Sequence, residues 1–354
     1  MAHTIKMVQA NRILWVDIAK TLGIFLVVLG HFHVDSRYVA GYIFMFHMPL
    51  FFFISGYLMS AKRLDMNMTA PSEFVAGRIN RLIVPFYLFQ VIGLIILIIR
   101  LLIGGGNAGD VNWQEYAAGS LLGTPGHMLD VPAWFLLSLF LCNIILYACF
   151  NFKILRYMVV PAIVAAIFVK LPAYFAIHTV PVSFLYFASG FAVKQYIDKL
   201  TVIISRNIAP ALACSFALMI ALMWIYLEIG NLDIGKGEYT SYPAISIASA
   251  FLGIAGIFGI SAVMQSVMQR NKENPKIKSI FVKCSDATII ILGLHIFAVE
   301  MLQLHLPKLF GHVPVAVAAS LLITGILAAI YPRLSSYFPL LCGKPIMNKS
   351  KRIA

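Results

Sequence analysis

Three ionisable residues stand in the first apolar stretch of the chain, Asp17, Lys20 and His31 within Ile13–Phe32. Eleven steps from Lys20 to His31 turn a helix by three turns plus about 20°, which puts both on one face, roughly 16 Å apart along the axis. Asp17 joins the same stripe. An imidazole has the ordinary pKa that suits proton transfer near neutral pH, so His31 can act as a general base. Lys20 can hold phosphate or carbonyl oxygens as a point charge. An ion pair with Asp17, present only to neutralise two buried charges, is the alternative and is compatible with that role.

The element that carries these residues is long enough to cross a bilayer, since about 20 helical residues span ~30 Å. An ionisable group well inside such a helix costs at least ~2.5 kcal/mol on insertion scales, so each must be paired, cavity-facing or functional. The 354-residue chain is 61% hydrophobic and only 12% charged, with a mean hydropathy of +0.89. That excludes a soluble domain of this size and fits an all-α, polytopic membrane bundle. Ten apolar runs predict transmembrane helices over 13–33, 41–60, 82–103, 133–151, 156–172, 180–197, 207–229, 244–266, 286–305 and 313–332. The first is read as a retained helix, because it is long, studded with polar residues and lacks a cleavage signal.

A formal charge of +13 does not point to nucleic acid, because the cations fall in short clusters between apolar runs. Of 27 Lys and Arg residues, 21 lie in one set of loops and five in the other, with Lys20 inside the membrane. The excess predicts both termini in the cytoplasm, Lys20 near the cytoplasmic face and His31 near the outer face. The domain reading is a cytoplasmic segment 1–12, a membrane domain 13–335 and a basic tail 336–354, with Gln269–Lys283 as a cytoplasmic linker loop. The five cysteines show no paired spacing, so neither a disulfide framework nor a zinc site is supported.

Other residues qualify by position. Arg78 and Arg81 at the start of the third span can clamp phosphates bidentately or serve as positive-inside anchors. In the second span Pro49 is expected to kink the helix between His47 and Ser55. Ser55 could be a nucleophile if a base lay beside it, though Ser55-Gly56 more simply permits close helix packing. Phe51, Phe52 and Phe53 read as lipid contact and packing. Trp134 can anchor at the interface or line a pocket. His295 and Glu300 on the ninth span are intramembrane polar groups, with His295 the first candidate. The outer connection Gly104–Pro132 offers aromatic rings beside Asp110, Glu115 and Asp130, read as an interfacial belt and solvated loop. A metal site from His31, His33 and His47 lacks a carboxylate partner, and no metal is expected.

Taken together, Arg12, Asp17, Lys20 and His31 at this spacing, FHMPLFFFISGYL over Phe46–Leu58, Arg78 and Arg81 ahead of Pro85-Phe86, Trp134-Phe135-Leu136 and the late His295 resemble the acyltransferase-3 superfamily of membrane O-acyltransferases. The wording is most similar to its fucose 4-O-acetylase-like branch, densest over the first 90 residues. The resemblance implies a multi-pass protein of the bacterial inner membrane that transfers an acyl group, usually acetyl, from acyl-CoA to a hydroxyl of a surface glycan or its lipid-linked precursor. It implies His31, Asp17 and Lys20 as catalytic residues, Arg78 and Arg81 as donor-binding, and His47, Ser55, Trp134 and His295 around the acyl or acceptor pocket, with acetyl-CoA as donor substrate. The rival reading is a polytopic transporter or flippase of a glycan or solute, for which paired inverted repeats would be expected and none is seen. A polyprenyl-sugar glycosyltransferase would need an acidic pair in an early outer loop, where Asp35 stands alone.

The charge distribution makes the orientation testable. Cysteines introduced at Gly105, Gly237 or Gly311 should react with an impermeant thiol reagent from outside, and cysteines at Asn67 or Asn274 should not. Labelling in the reverse pattern would overturn the assigned sides.

Overall fold

The computed structural model describes residues 12–34, 37–104, 109, 111–124, 127–230, 232–237, 242–270 and 275–345. Asp35, Asp110, residues 1–11 and residues 346–354 lie outside the described residues. In chain order the principal helices are α1 (Leu14–Gly30), α2 (Arg37–Phe44), α3 (His47–Tyr57), α4 (Pro71–Arg78), α5 (Val84–Gly104), α6 (Trp113–Leu122), α7 (Trp134–Asn151), α8 (Val159–Phe168), α9 (Val180–Ala192), α10 (Lys194–Arg206), α11 (Ile208–Ile229), α12 (Pro243–Arg270), α13 (Pro275–Asp286), α14 (Thr288–His305) and α15 (Val313–Tyr337). Among the described residues eight helices are long and apolar enough to cross a membrane. Of the ten predicted spans, the first is α1 with 17 residues and the fifth is α8 with ten. The protein is an all-α, polytopic membrane bundle.

Helix α1 is its axis. It packs against α2, α3, α12, α13, α14 and α15, and side chains all round it are buried, from Leu14, Trp15 and Val16 to Val27, Val28 and Leu29. A helix apolar on every side can only be accommodated inside such a bundle or against lipid. The polar residues of α1 are therefore held among other helices.

Several expectations are corrected. The second span is broken, but ahead of Pro49: α2 ends at Phe44, Phe46 takes φ −141°, and α3 restarts at His47. Pro49 then falls in the first turn of α3, where its missing N–H would have had no intrahelical partner. Phe51, Phe52 and Phe53 are 5%, 0% and 6% exposed and face protein, not lipid. The sixth span stops at Ala192, and the amphipathic α10 follows. Gln269–Lys283 is not simply a linker: residues 275–283 belong to α13, which packs on α1. In the outer connection, α6 occupies Trp113–Leu122, Glu115 pairs with His127, and Asp130 is fully buried rather than solvated.

Gly56 explains the tightest crossing. A Cβ there would lie 1.8 Å from the carbonyl oxygen of Phe187, and one at Gly190 would lie 2.0 Å from that of Phe53. Two glycines thus let α3 and α9 approach backbone to backbone, the small-residue device of membrane helices. Gly56→Ala should lower stability by about 3 kcal/mol, since backbone cannot yield as a flexible side chain can. The control is Gly77→Ala, where nothing lies within 4 Å, and which should be neutral or stabilising. Thermal unfolding in detergent compares them, and equal midpoints would refute the close-contact account.

Candidate functional site

The stripe on α1 has two separate surroundings. At its start, Arg12 grips Asp17 with two N–H groups, Nε to Oδ2 at 2.6 Å and Nη2 to Oδ1 at 3.0 Å. The same guanidinium donates to Asp286 at 2.8 Å and to the Val282 carbonyl at 3.3 Å. Burial lowers the pKa of this guanidinium, but the bonds to Asp17 and Asp286 outweigh that and leave it above its ordinary value. Lys20 does not pair with Asp17. Its Nζ donates to the Ser285 carbonyl at 2.7 Å, and Thr21 Oγ1 lies 3.1 Å from the Phe281 carbonyl. The Ser285 carbonyl, at the partly negative C-terminal end of α13, is thus met by the ammonium of Lys20.

Arg78 and Arg81 lie on another helix at the Lys20 end of the bundle. Arg81 sits in a π-helical turn, Ile79–Ile83, in which the Val84 N–H reaches back to the Ile79 carbonyl. Pro85 accounts for the turn: it has no N–H for the Arg81 carbonyl, so the ladder must shift. Arg78 lies over the Phe74 ring at 4.9 Å, within Coulomb range of Arg63 and Arg81. Among the described residues no carboxylate forms an ion pair with any of these three arginines.

At the other end of α1 a cavity of about 850 Å³ opens, lined by His31, His33, His47, Trp134, Glu300 and the loop Leu232–Lys236 among others. His31 is the C-cap of α1, and its Nδ1 lies 2.8 Å from the Val27 carbonyl, one of the orphan carbonyls of that end. The same nitrogen is 3.3 Å from Nε2 of His295. His295 is fully buried, with its own Nδ1 2.9 Å from the carbonyls of Ile291 and Leu292. Carbonyls only accept, so Nδ1 carries the proton in both rings. His295 then presents a bare Nε2 to the Nδ1–H of His31, and Nε2 of His31 is left unprotonated. His47 repeats the pattern on the Ile43 carbonyl at 2.9 Å, and the Phe44 ring contacts both His31 and His47.

Trp134, only 7% exposed, opens α7 as part of the cavity wall and packs near Phe52. Ser55 lies outside this cavity, as do Arg78, Arg81 and Lys20. The sequence reading missed the loop Leu232–Gly237. Leu232 and Ile234 are buried, a Cβ on Gly235 would lie 2.6 Å from Trp134 Nε1, and His178 donates from Nε2 to the Gly235 carbonyl at 3.1 Å. Asp233 and Lys236 of this loop lie 3.8 Å apart on the cavity wall. The apolar Leu and Ile between two glycine turns were the available signal. Glu300 is held by Arg100 at 2.9 Å, and His33 lies 3.0 Å from Gln303. Among the described residues no group of three His, Cys, Asp or Glu side chains could hold a metal ion.

The family model described as an acyltransferase domain, that of the acyltransferase-3 family, matches residues 13–331. No curated protein and no solved structure matches the chain.

The double grip of Arg12 gives a stability prediction. Arg12→Ala leaves Asp17 buried without a counter-ion and should cost about 3 kcal/mol, while adding Asp17→Asn should restore part of the loss. Thermal unfolding of the single and double variants reads this out. Additive losses would show that Arg12 is not the counter-ion of Asp17.

Proposed function

The chain belongs to the acyltransferase-3 family of membrane acyltransferases, and we propose that it transfers an acetyl group from acetyl-CoA to a hydroxyl of a surface glycan or its lipid-linked precursor, in the bacterial inner membrane, as a member of the fucose 4-O-acetylase-like branch. The observation that carries this reading is the placement of the His31 ring in the wall of the large cavity, with Nδ1 2.8 Å from the Val27 carbonyl and 3.3 Å from Nε2 of His295, which assigns the proton to Nδ1 and leaves Nε2 as the basic nitrogen. An acceptor hydroxyl bound there gives its proton to Nε2 as its oxygen attacks the thioester carbonyl. The new O–C bond forms, the C–S bond breaks, and the CoA thiolate takes up the proton that Nε2 received, which restores neutral His31. Two acceptors on Nδ1–H stabilise the imidazolium that develops in between.

Trp134 and His47 shape the acyl and acceptor pocket, and the mixed charges of Asp233, Lys236 and Glu300 suit a neutral, polyhydroxylated ring. Arg78 and Arg81, which have no carboxylate partner among the described residues, hold CoA phosphates at the opposite end, on the cytoplasmic side. The roughly 16 Å of helix between Lys20 and His31 compares with the reach of a pantetheine arm. Lys20 spends one N–H on Ser285 and retains two for the donor, so its catalytic part is secondary to holding α13. Ser55 serves packing beside Gly56.

His31→Gln keeps a hydrogen-bonding side chain but not proton transfer, and, like deletion of the protein, should remove acetyl increments from the surface glycans, at unchanged protein level. His295→Gln should lower the rate about 10–100-fold while acyl-CoA affinity measured by calorimetry stays near wild type. Mass spectrometry of the glycans reads the first outcome. Full acetylation in the His31→Gln strain would reduce His31 to a helix cap.

A further inference from the structure

A second large hollow has no part in this chemistry. A lateral groove of about 1000 Å³ lies between α7, α8, α9 and α12. The ten-residue α8, about 15 Å long and half of what a bilayer core requires, forms one side of it through Ile163 and Ile167. Phe150, Phe184, Phe251 and Ile163 form apolar walls, and Ala188 and Ala248 leave room between them.

One end of the groove is basic. Lys153 and Arg156 line it, in the turn that follows α7. That turn closes the helix with the Ile154 N–H on the Cys149 carbonyl at 3.0 Å and the Lys153 N–H on the Phe150 carbonyl at 3.2 Å. This is the Schellman arrangement, whose left-handed residue is usually glycine. Here it is Lys153, at φ +58°, a strained conformation for a side chain with a Cβ. That backbone geometry sets Lys153 at the groove mouth. Arg156 stacks on Tyr157 and donates to its hydroxyl at 2.6 Å, which leaves other N–H groups of the guanidinium. Among the described residues no carboxylate forms an ion pair with Lys153 or Arg156.

We propose that this groove binds an anionic phospholipid, with its acyl chains along α9 and its phosphate against Lys153 and Arg156. Charge complementarity selects the occupant: a pair of cations with no ion-pair partner among the described residues, at one end of an apolar trough, matches a headgroup of net negative charge and acyl chains. The distribution of Lys and Arg assigns this end to the cytoplasmic leaflet. The site is independent of the acyl-transfer reading, since it shares no residue with the His31 cavity.

The test is native mass spectrometry of the full chain in detergent, supplied with equal concentrations of dioleoylphosphatidylglycerol and dioleoylphosphatidylcholine. The wild type should retain phosphatidylglycerol about tenfold better. Lys153→Gly combined with Arg156→Ala should bring the two lipids level, and Ala188→Trp, which fills the groove, should lower retention of both. Lys153→Gly alone relieves the backbone, so its Tm should not fall, while its preference should drop about threefold. Equal retention of the two lipids by the wild type, or an unchanged preference in the double variant or in Lys153→Gly, would overturn the proposal.

Discussion

The structure depends on the grip of Arg12 on two carboxylates that belong to different helices. Asp17 is buried on α1 and Asp286 ends α13, and one planar guanidinium serves both while also meeting the Val282 carbonyl. A lysine in its place would offer a point charge without the fork that a two-carboxylate contact uses. Lys20 and Thr21 extend the same seam to the carbonyls of Ser285 and Phe281. The consequence is positional: α13 is fastened along the first two turns of α1, and Ala287 then leads directly into α14, which carries His295. The polar stripe of α1 thereby sets, through α13 and α14, where the partner of its own His31 will stand.

That seam also shows what was legible in the sequence. The cost of ions in a membrane helix was enough to single out Asp17, Lys20 and His31, and the periodicity of α1 was enough to put them on one stripe. Which cation meets Asp17 was not legible. Spacing favours Lys20 three residues away, yet Arg12, outside the helix on a freely placed backbone, can bring its fork to the carboxylate and has Asp286 to bind besides. The role of α13 was hidden for a related reason: a basic, weakly hydrophobic stretch reads as a loop until the first helix offers it partners. For Phe51–Phe53 the packing held and the lipid contact did not, because three consecutive aromatics look the same from sequence whether lipid or protein surrounds them. The Leu232–Gly237 loop was too short to show a period at all.

Backbone irregularity at both ends of the bundle has a common origin in polar satisfaction. No water competes for carbonyls inside a bilayer, so a carbonyl released by a helix break must find a protein donor. At the end of α1 the donor is the imidazole of His31 itself, and at the end of α2 the Ile43 carbonyl is met by His47. At the other end Pro85 releases the Arg81 carbonyl, and the chain answers with a π-helical turn beneath the C-terminal Gly343, where a Cβ would come within 2.7 Å of that oxygen. Helix ends and proline positions thus decide where imidazoles and guanidinium groups collect.

The same argument explains why one nitrogen of His31 is basic. A histidine at a helix C-cap that satisfies the carbonyl four residues back must carry its proton on Nδ1, whatever else surrounds it. His295 adds to this without competing, because its own Nδ1 is committed to two carbonyls and only its lone pair faces His31. Two rings, each fixed by its own helix, therefore agree on a single arrangement of protons. The tautomer that leaves Nε2 of His31 unprotonated follows from how each helix disposes of its carbonyls, and the sequence carries it only as the spacing of Val27 to His31 and of Ile291 to His295.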